Sequence, residues 1–302
     1  MTGPHLAIVG PTASGKSALA LEVAGALGDV EIVSIDSMQV YRGLDVGTAK
    51  PSRAERAAVC HHLIDVADPD DEWSVARFQR EARAAVAEIA QRGHRALLVG
   101  GTGLYLQAVI DPLNFPPEDR AVRDAILART DDTYAELTRR DPDAAATIEP
   151  GNTRRIARAL EVIEVTGRPF SSFGRGLHEF GATVFPVALG GVWLPRAVLN
   201  ERVLRRVHAM RDAGFVEEVR ELRTRGALSR TAAQAIGYRE VLAHLDGDEP
   251  SLELALDAVV ARTRRFARRQ RMWFRRDPRI RWFGTAGNPC TLLPALLASW
   301  SV

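Results

Sequence analysis

Residues 6–21 read "LAIVGPTASGKSALAL": an apolar run, a turn that closes on Lys16 and Ser17, and an Ala/Leu-rich stretch with helical spacing. Within it Gly10, Pro11, Thr12, Ala13, Ser14, Gly15, Lys16 and Ser17 fit G-x-x-x-x-G-K-[ST] between a predicted strand and a predicted helix, the context that this nucleotide-binding motif requires. Its glycines let backbone N–H groups converge on phosphate oxygens, and the helix N-terminus adds positive potential. Lys16 neutralises charge and the Ser17 hydroxyl can ligate Mg2+. The pattern specifies a polyphosphate or diphosphate site and leaves the reaction open.

Working outward, "HLAIVG" (5–10), "VEIVSID" (30–36) and "RALLVGG" (95–101) read as buried strands, and Ser17–Leu27 and Val75–Gln91 as helices. Such alternation predicts parallel strands with crossover helices and a ligand at the strand C-termini. The Pro-rich "DPLNFPPEDR" (111–120) opens a stretch without strand signals, with helices expected at Arg120–Arg129, Thr133–Arg140 and Asn152–Val165, and it closes in "GRPFSSFGRG" (167–176). "ATVFPVALGGVWL" (182–194) resumes the sheet, followed by helices at Ala197–Arg225 and Leu252–Arg276. The expected fold is α/β, a P-loop doubly wound parallel sheet: 1–115 form the first part of the core, 116–181 a helical insertion, and 182–302 the return to the core with a basic, helical C-terminal region.

The 302 residues suffice for one large domain or two ordinary ones, and 46% hydrophobic with 26% charged residues excludes a disordered or fibrous chain. Cys60 and Cys290 give neither a metal-ligand spacing nor a disulfide framework and read as buried small hydrophobes in a reducing compartment. No leader or membrane-span pattern stands out, so the expectation is a cytoplasmic protein with no membrane partner. The net charge of +2 conceals an uneven distribution.

Three features carry chemistry. Asp36 ends the second strand beside the cradle, where a carboxylate can hold Mg2+ through water or accept a proton from a nucleophile. The third strand runs into Gly-Gly-Thr102 where many P-loop NTPases carry an Asp, which weakens a simple ATPase reading. Residues 262–281 gather ten arginines, Arg268, Arg269 and Arg271 among them, with Phe266, Trp273 and Phe274 inside the run, Trp282 just after it, and only Asp277 to offset them. Read on a helix, that run suits phosphate-backbone binding with base stacking.

In order along the chain, "GPTASGKS", "DSMQVYRGLDVGTAKP", "HHLIDV", "WSVARFQ", "GGTGLYLQA", "NTRRIARALEV", "GFVEEVR", "AIGYREV" and "RRFARRQRMWFRR" make the chain resemble the bacterial tRNA dimethylallyltransferases, the IPP transferase family. The resemblance spans nearly the whole chain. It implies transfer of a dimethylallyl group from dimethylallyl diphosphate to N6 of the adenosine just 3′ of the anticodon, with tRNA gripped at its anticodon stem-loop. The P-loop and Arg206 would then hold diphosphate with Mg2+ on Ser17, Asp36 would be the general base, and Thr102 would sit at the target nucleotide. Asp36, Ser37, Met38, Gln39, Thr102, Arg123, Arg154, Arg155 and Arg158 would contact tRNA, together with the C-terminal arginines. The enzyme is expected to act as a monomer. Eukaryotic members carry a C-terminal zinc finger, whereas "GNPCTLLPALLASWSV" has no such ligands, so no zinc is expected.

Rival readings remain at this point: a small P-loop kinase using ATP, an isopentenyltransferase acting on free adenylate, and a nucleotide-regulated RNA-binding protein. Each leaves at least one motif without a purpose.

Overall fold

Six strands, all parallel, form the sheet of this protein, known here from a computed structural model that describes residues 3–300 except 174–176, 178 and 227. The strands are β1 His5–Val9, β2 Val30–Ile35, β3 His61–His62, β4 Arg95–Gly100, β5 Val187–Trp193 and β6 Arg281–Gly284, in the order β3-β2-β4-β1-β5-β6. Chain order reverses about β1, with β4 and β2 on one side and β5 and β6 on the other, and such a switch point places the binding crevice at the strand C-termini.

Alternation along β1 sorts the core into two faces. Leu6 and Ile8 pack with Leu97, Val99 and the helix Lys16–Leu27, whereas Ala7 and Val9 pack with Val33, Ile35, Leu98 and the helix Val75–Gln91. Both faces are covered, so the strands read as continuous apolar runs rather than alternating ones. Register sets the site. Ile35 and Val9 both pair with Gly100, and Val9 pairs with Gly191, so the residues that follow emerge along one edge.

The chain divides into two compact units: Met1–Ile110 with Thr183–Val302, and Asp111–Ala182. The second is helical, with helices Arg120–Leu127, Thr133–Arg140, Pro142–Ala145 and Thr153–Thr166 around Ile126, Leu137, Ile156, Leu160 and Ile163. The loop "GRPFSSFGRG" ends at 174–176, outside the described residues. Within this unit Glu161 is fully buried and accepts from Arg123 Nε at 2.6 Å, Arg158 at 2.7 Å and the Asp119 N–H at 2.7 Å. Burial alone would push its carboxyl up, but the bonds from Arg123, the Asp119 N–H and Arg158 outweigh it and hold it below the usual range.

Three expectations need correction. The stretch Ala197–Arg225 is two helices, Arg196–Asp212 and Phe215–Arg225, parted by Gly214, whose φ of 90° no helix accommodates. The arginine run is not one helix: the helix Leu252–Phe274 stops, the chain turns, and β6 begins at Arg281. β6 escapes a pattern search because both its ends are exposed. Cys60 is exposed rather than buried, because it leads into the two-residue edge strand β3. Among the described residues, no helix is long and apolar enough to cross a membrane.

Glu161→Ala leaves two guanidiniums and a backbone N–H without their shared acceptor, which should destabilise the helical unit by about 3 kcal/mol. Hydrogen exchange across residues 153–166 should accelerate accordingly at neutral pH, and the wild type should lose the same protection below the usual glutamate range. Unchanged exchange would remove Glu161 as the keystone of this unit.

Candidate active site

Between β1 and the helix Lys16–Leu27 the backbone alternates handedness, with Ala13 at φ 62° and Gly15 at φ 83°. Such alternation turns successive N–H groups into a concavity suited to an anion. Gly15 is required twice over, since a Cβ there would also come within 2.6 Å of Pro289. Lys16 reaches back to the Pro11 carbonyl at 3.4 Å. Burial, and then the Arg206 cation, push its ammonium down to about 8, against a smaller opposing pull from Asp36. Arg206, half-buried, is lowered by burial and supported by Asp36. Lys16, Asp36 and Arg206 therefore lie within electrostatic reach of one another.

A cavity of about 550 Å³ opens on this group, lined by Lys16, Ser17, Arg202, Arg205 and Arg206 with small residues between them. No carboxylate lines it among the described residues. Four cations there are offset only by Asp36 and by the exposed Glu201, 3.6 Å from Arg205, so they repel one another and a polyanion relieves that repulsion. Arg202 and Arg205 gave no sequence signal, because they lie in a helix where arginine is a routine surface residue.

Asp36 follows β2 directly, and its Oδ1 accepts the Met38 N–H at 2.9 Å, an Asx turn that fixes the carboxylate. The rest of the "DSMQ" loop is held from below. Ser34 Oγ donates to Gln39 Oε1 at 2.8 Å, and Gln39 Nε2 donates to the carbonyls of Thr48 and Ala49 at 3.2 and 3.3 Å. Gln39, expected to contact tRNA, spends its amide on this scaffold, Met38 packs against the core, and Ser37 stays half-buried beside them. The 45–47 loop is held by Glu218, whose carboxylate accepts three consecutive N–H groups, from Asp45, Val46 and Gly47, and the Tyr238 hydroxyl at 2.6 Å.

Gly101 and Thr102 emerge beside Asp36, the Thr102 N–H pointing at the Ile35 carbonyl at 3.4 Å. The residue that joins this turn to the P-loop is Gln270. Its Oε1 accepts the Thr12 N–H at 2.9 Å and its Nε2 donates to the Gly101 carbonyl at 2.8 Å. A Cβ on Gly101 would strike Gln270, and one on Gly103 would strike the Trp273 indole, which explains glycine at both positions. Gln270 was invisible in the sequence because it sits inside the arginine run.

The expected tRNA-contact arginines divide. Arg123 and Arg158 are tied to Glu161, whereas Arg154 and Arg155 on the same unit are exposed. On the helix Leu252–Phe274, Arg268 and Arg269 are exposed. The Arg271 guanidinium lies 3.7 Å over the Trp193 ring, lowered by burial and by repulsion from Arg275 and Arg196. Others in the run serve the fold: Arg262 pairs with Glu240, and Arg279 with Asp277.

Fold and motif together define a P-loop α/β enzyme. The family model described as IPP transferase matches residues 39–277, and one described as isopentenyl transferase matches 5–65. The chain belongs to the IPP transferase family. It is 50% identical over 292 residues to a tRNA dimethylallyltransferase of Salinispora arenicola, covering 95% of this chain and 84% of that protein. Another, from Bifidobacterium animalis, is 47% identical over 293 residues, covering 94% of this chain and 83% of its own. Among solved structures, a tRNA isopentenylpyrophosphate transferase of Bacillus halodurans aligns with TM-score 0.70 and 38% identity over 99% of this chain and 98% of that one. A eukaryotic dimethylallyltransferase acting on tRNA aligns with TM-score 0.78 and 27% identity over 93% of this chain and 74% of that one.

With Lys16 at about 8 in the free protein, affinity for inorganic diphosphate should be full below that pH and fall as the ammonium is lost above it. Lys16→Arg, which does not titrate in that range, should flatten the decline between about pH 7.5 and 9.5 in calorimetric titrations. An equal decline in both proteins would place the titrating group elsewhere.

Proposed function

We propose that the protein transfers the dimethylallyl group of dimethylallyl diphosphate to N6 of the adenosine immediately 3′ of the anticodon in tRNA, releasing diphosphate. The observation that carries this reading is a single carboxylate, Asp36, within electrostatic reach of an acid-free cavity of four cations at the P-loop. A cradle of that composition suits a departing polyanion, and the carboxylate suits the proton that a nucleophilic amine must lose. The names of the relatives support the same transferred group and the same class of acceptor.

The loop N–H groups, Lys16 and Arg206 bind the diphosphate, with Arg202 and Arg205 adding charge at the cavity wall. An exocyclic amine within a stacked anticodon loop is a poor nucleophile, so the adenine must be extruded and held dry, with Thr102 at its edge. As N6 bonds to the allylic C1, the C1–O bond breaks and its electron pair leaves with diphosphate, while Asp36 accepts the N6 proton. Fixed cations stabilise charge as it develops on the leaving oxygen without reorganising. The oxygens on offer, the exposed Ser17 hydroxyl and the Asp36 carboxylate, fit Mg2+, which takes few protein ligands and completes its shell with water and substrate phosphate. Bound there, Mg2+ would neutralise diphosphate charge.

For the tRNA, Arg154 and Arg155 of the helical unit and Arg268, Arg269 and Arg271 of the C-terminal helix supply backbone contacts. Asp36, Ser37 and Thr102 face the target nucleotide, with Met38 and Gln39 setting the shape of their loop. Arg123 and Arg158 act through Glu161 by holding the helices Arg120–Leu127 and Thr153–Thr166 together. The protein would work as a monomer in the cytoplasm, where tRNA is found.

Incubating the protein with labelled dimethylallyl diphosphate, Mg2+ and unmodified tRNA should place label in the tRNA with equimolar diphosphate release. Unlabelled tRNA, together with phosphoryl transfer from ATP to a metabolite, would make the protein a kinase instead. Asp36→Ala should lower turnover by about 100-fold or more while tRNA still binds, the scale of general-base assistance. Equal losses of binding and turnover would make Asp36 a docking residue.

A further inference from the structure

At the other end of the sheet, where the strands begin, four side chains with metal-binding chemistry meet. Glu31 is the second residue of β2 and is buried, Cys60 and His62 flank His61 on β3, and His94 directly precedes β4. Residues two apart on a strand share a face. Cys60 and His62 therefore both turn to Glu31, while His61 turns away and places its Nδ1 2.7 Å from the Val59 carbonyl. Cys60 Sγ lies 3.5 Å from His62 Nε2, which lies 2.7 Å from Glu31 Oε2, and His94 Nδ1 lies 2.9 Å from Glu31 Oε1. The ligand atoms of Glu31, Cys60 and His62 all lie within 4.8 Å of one another. A cavity of about 620 Å³ opens on the group.

We propose that Glu31, Cys60 and His62 form a zinc-type site, to which His94, bonded to Glu31 alone and 44% exposed, swings in as the fourth ligand. One thiolate, two imidazoles and one carboxylate are the donor set that suits Zn2+, and softness at the sulfur disfavours Mg2+ and Ca2+. Tetrahedral bonds of ordinary Zn–S and Zn–N length put sulfur and nitrogen about 3.5 Å apart, and Cys60 and His62 already stand at 3.5 Å. The Glu31–His62 contact must open from 2.7 Å to about 3.4 Å for both to bind one ion, a change within reach of a glutamate rotamer. Arg92, which pairs with both Glu31 oxygens at 2.8 and 3.0 Å, must give way. Its side chain is 45% exposed, so it can swing into water. On binding, the Cys60 thiol loses its proton to solvent as the S–Zn bond forms.

The placement suggests the use. β3 is only two residues long and is held by two register pairs, Ile32 with His61 and Val33 with His62. An ion bridging β3, β2 and the residue before β4 would tie that edge to the sheet. Asp36 lies five residues beyond Glu31, about 16 Å along the strand, so the site is separate from the catalytic end.

The test uses tag-free full-length chain, stripped by chelation and dialysed against Zn2+ with excess Mg2+. One zinc per chain should bind at micromolar or lower free concentration and raise the melting temperature. Co2+ in its place should give the near-ultraviolet thiolate-to-metal absorption of a Cys-bound ion. C60S, at an exposed position, should abolish that band and weaken zinc at least tenfold, whereas R92A should leave binding intact or tighten it. Binding only at millimolar zinc, or an unchanged band and affinity in C60S and H62A, would overturn the proposal.

Discussion

One side-chain amide holds the candidate catalytic edge together. Gln270 accepts from the Thr12 N–H in the loop after β1 and donates to the Gly101 carbonyl after β4. The two loops follow neighbouring strands, yet no backbone bond could fix both where the ladder has ended. A buried amide can do so because it offers a donor and an acceptor at once. The glycines at 101 and 103 follow from this arrangement, since Gln270 and Trp273 occupy the space that a side chain would need.

A second interlock sets the other wall. Glu218 gathers the N–H groups of residues 45–47, and Tyr238 braces it with its hydroxyl, which burial and then the Glu218 charge raise well above the ordinary tyrosine value. Gly47 is confined by the Phe215 and Tyr238 rings. Gln39 and Arg206 then take the carbonyls that follow. Three segments distant in the chain, "DSMQVYRGLDVGTAKP", "GFVEEVR" and "AIGYREV", thus act as one scaffold around the cavity that Lys16 and Arg206 line.

What the sequence made legible was local. The P-loop could be read because its chemistry requires consecutive residues, and the helix Val75–Gln91 because its apolar spacing is strong. The parallel sheet followed from alternation of buried runs with helices. What stayed hidden depends on distant partners. Arg123 looks like a free cation until Glu161, thirty-eight positions away, is folded beneath it. Gln270 looks like a spacer in a basic run, and Cys60 like a lone thiol until Glu31 of β2 and His94 before β4 are folded beside it and His62. The end of the long helix was hidden for another reason: arginine is a good helix former, so composition gave no stop signal through Arg275 and Arg276.

The helix Leu252–Phe274 carries Gln270 inward while Arg268 and Arg269 point to solvent and Arg271 lies on Trp193. An α-helix turns about 100° per residue. Inserting or deleting one residue upstream in this helix would therefore swing the amide off both loops and redirect the outward arginines in the same stroke. The segment is bound to a fixed phase, and its length is as constrained as its composition.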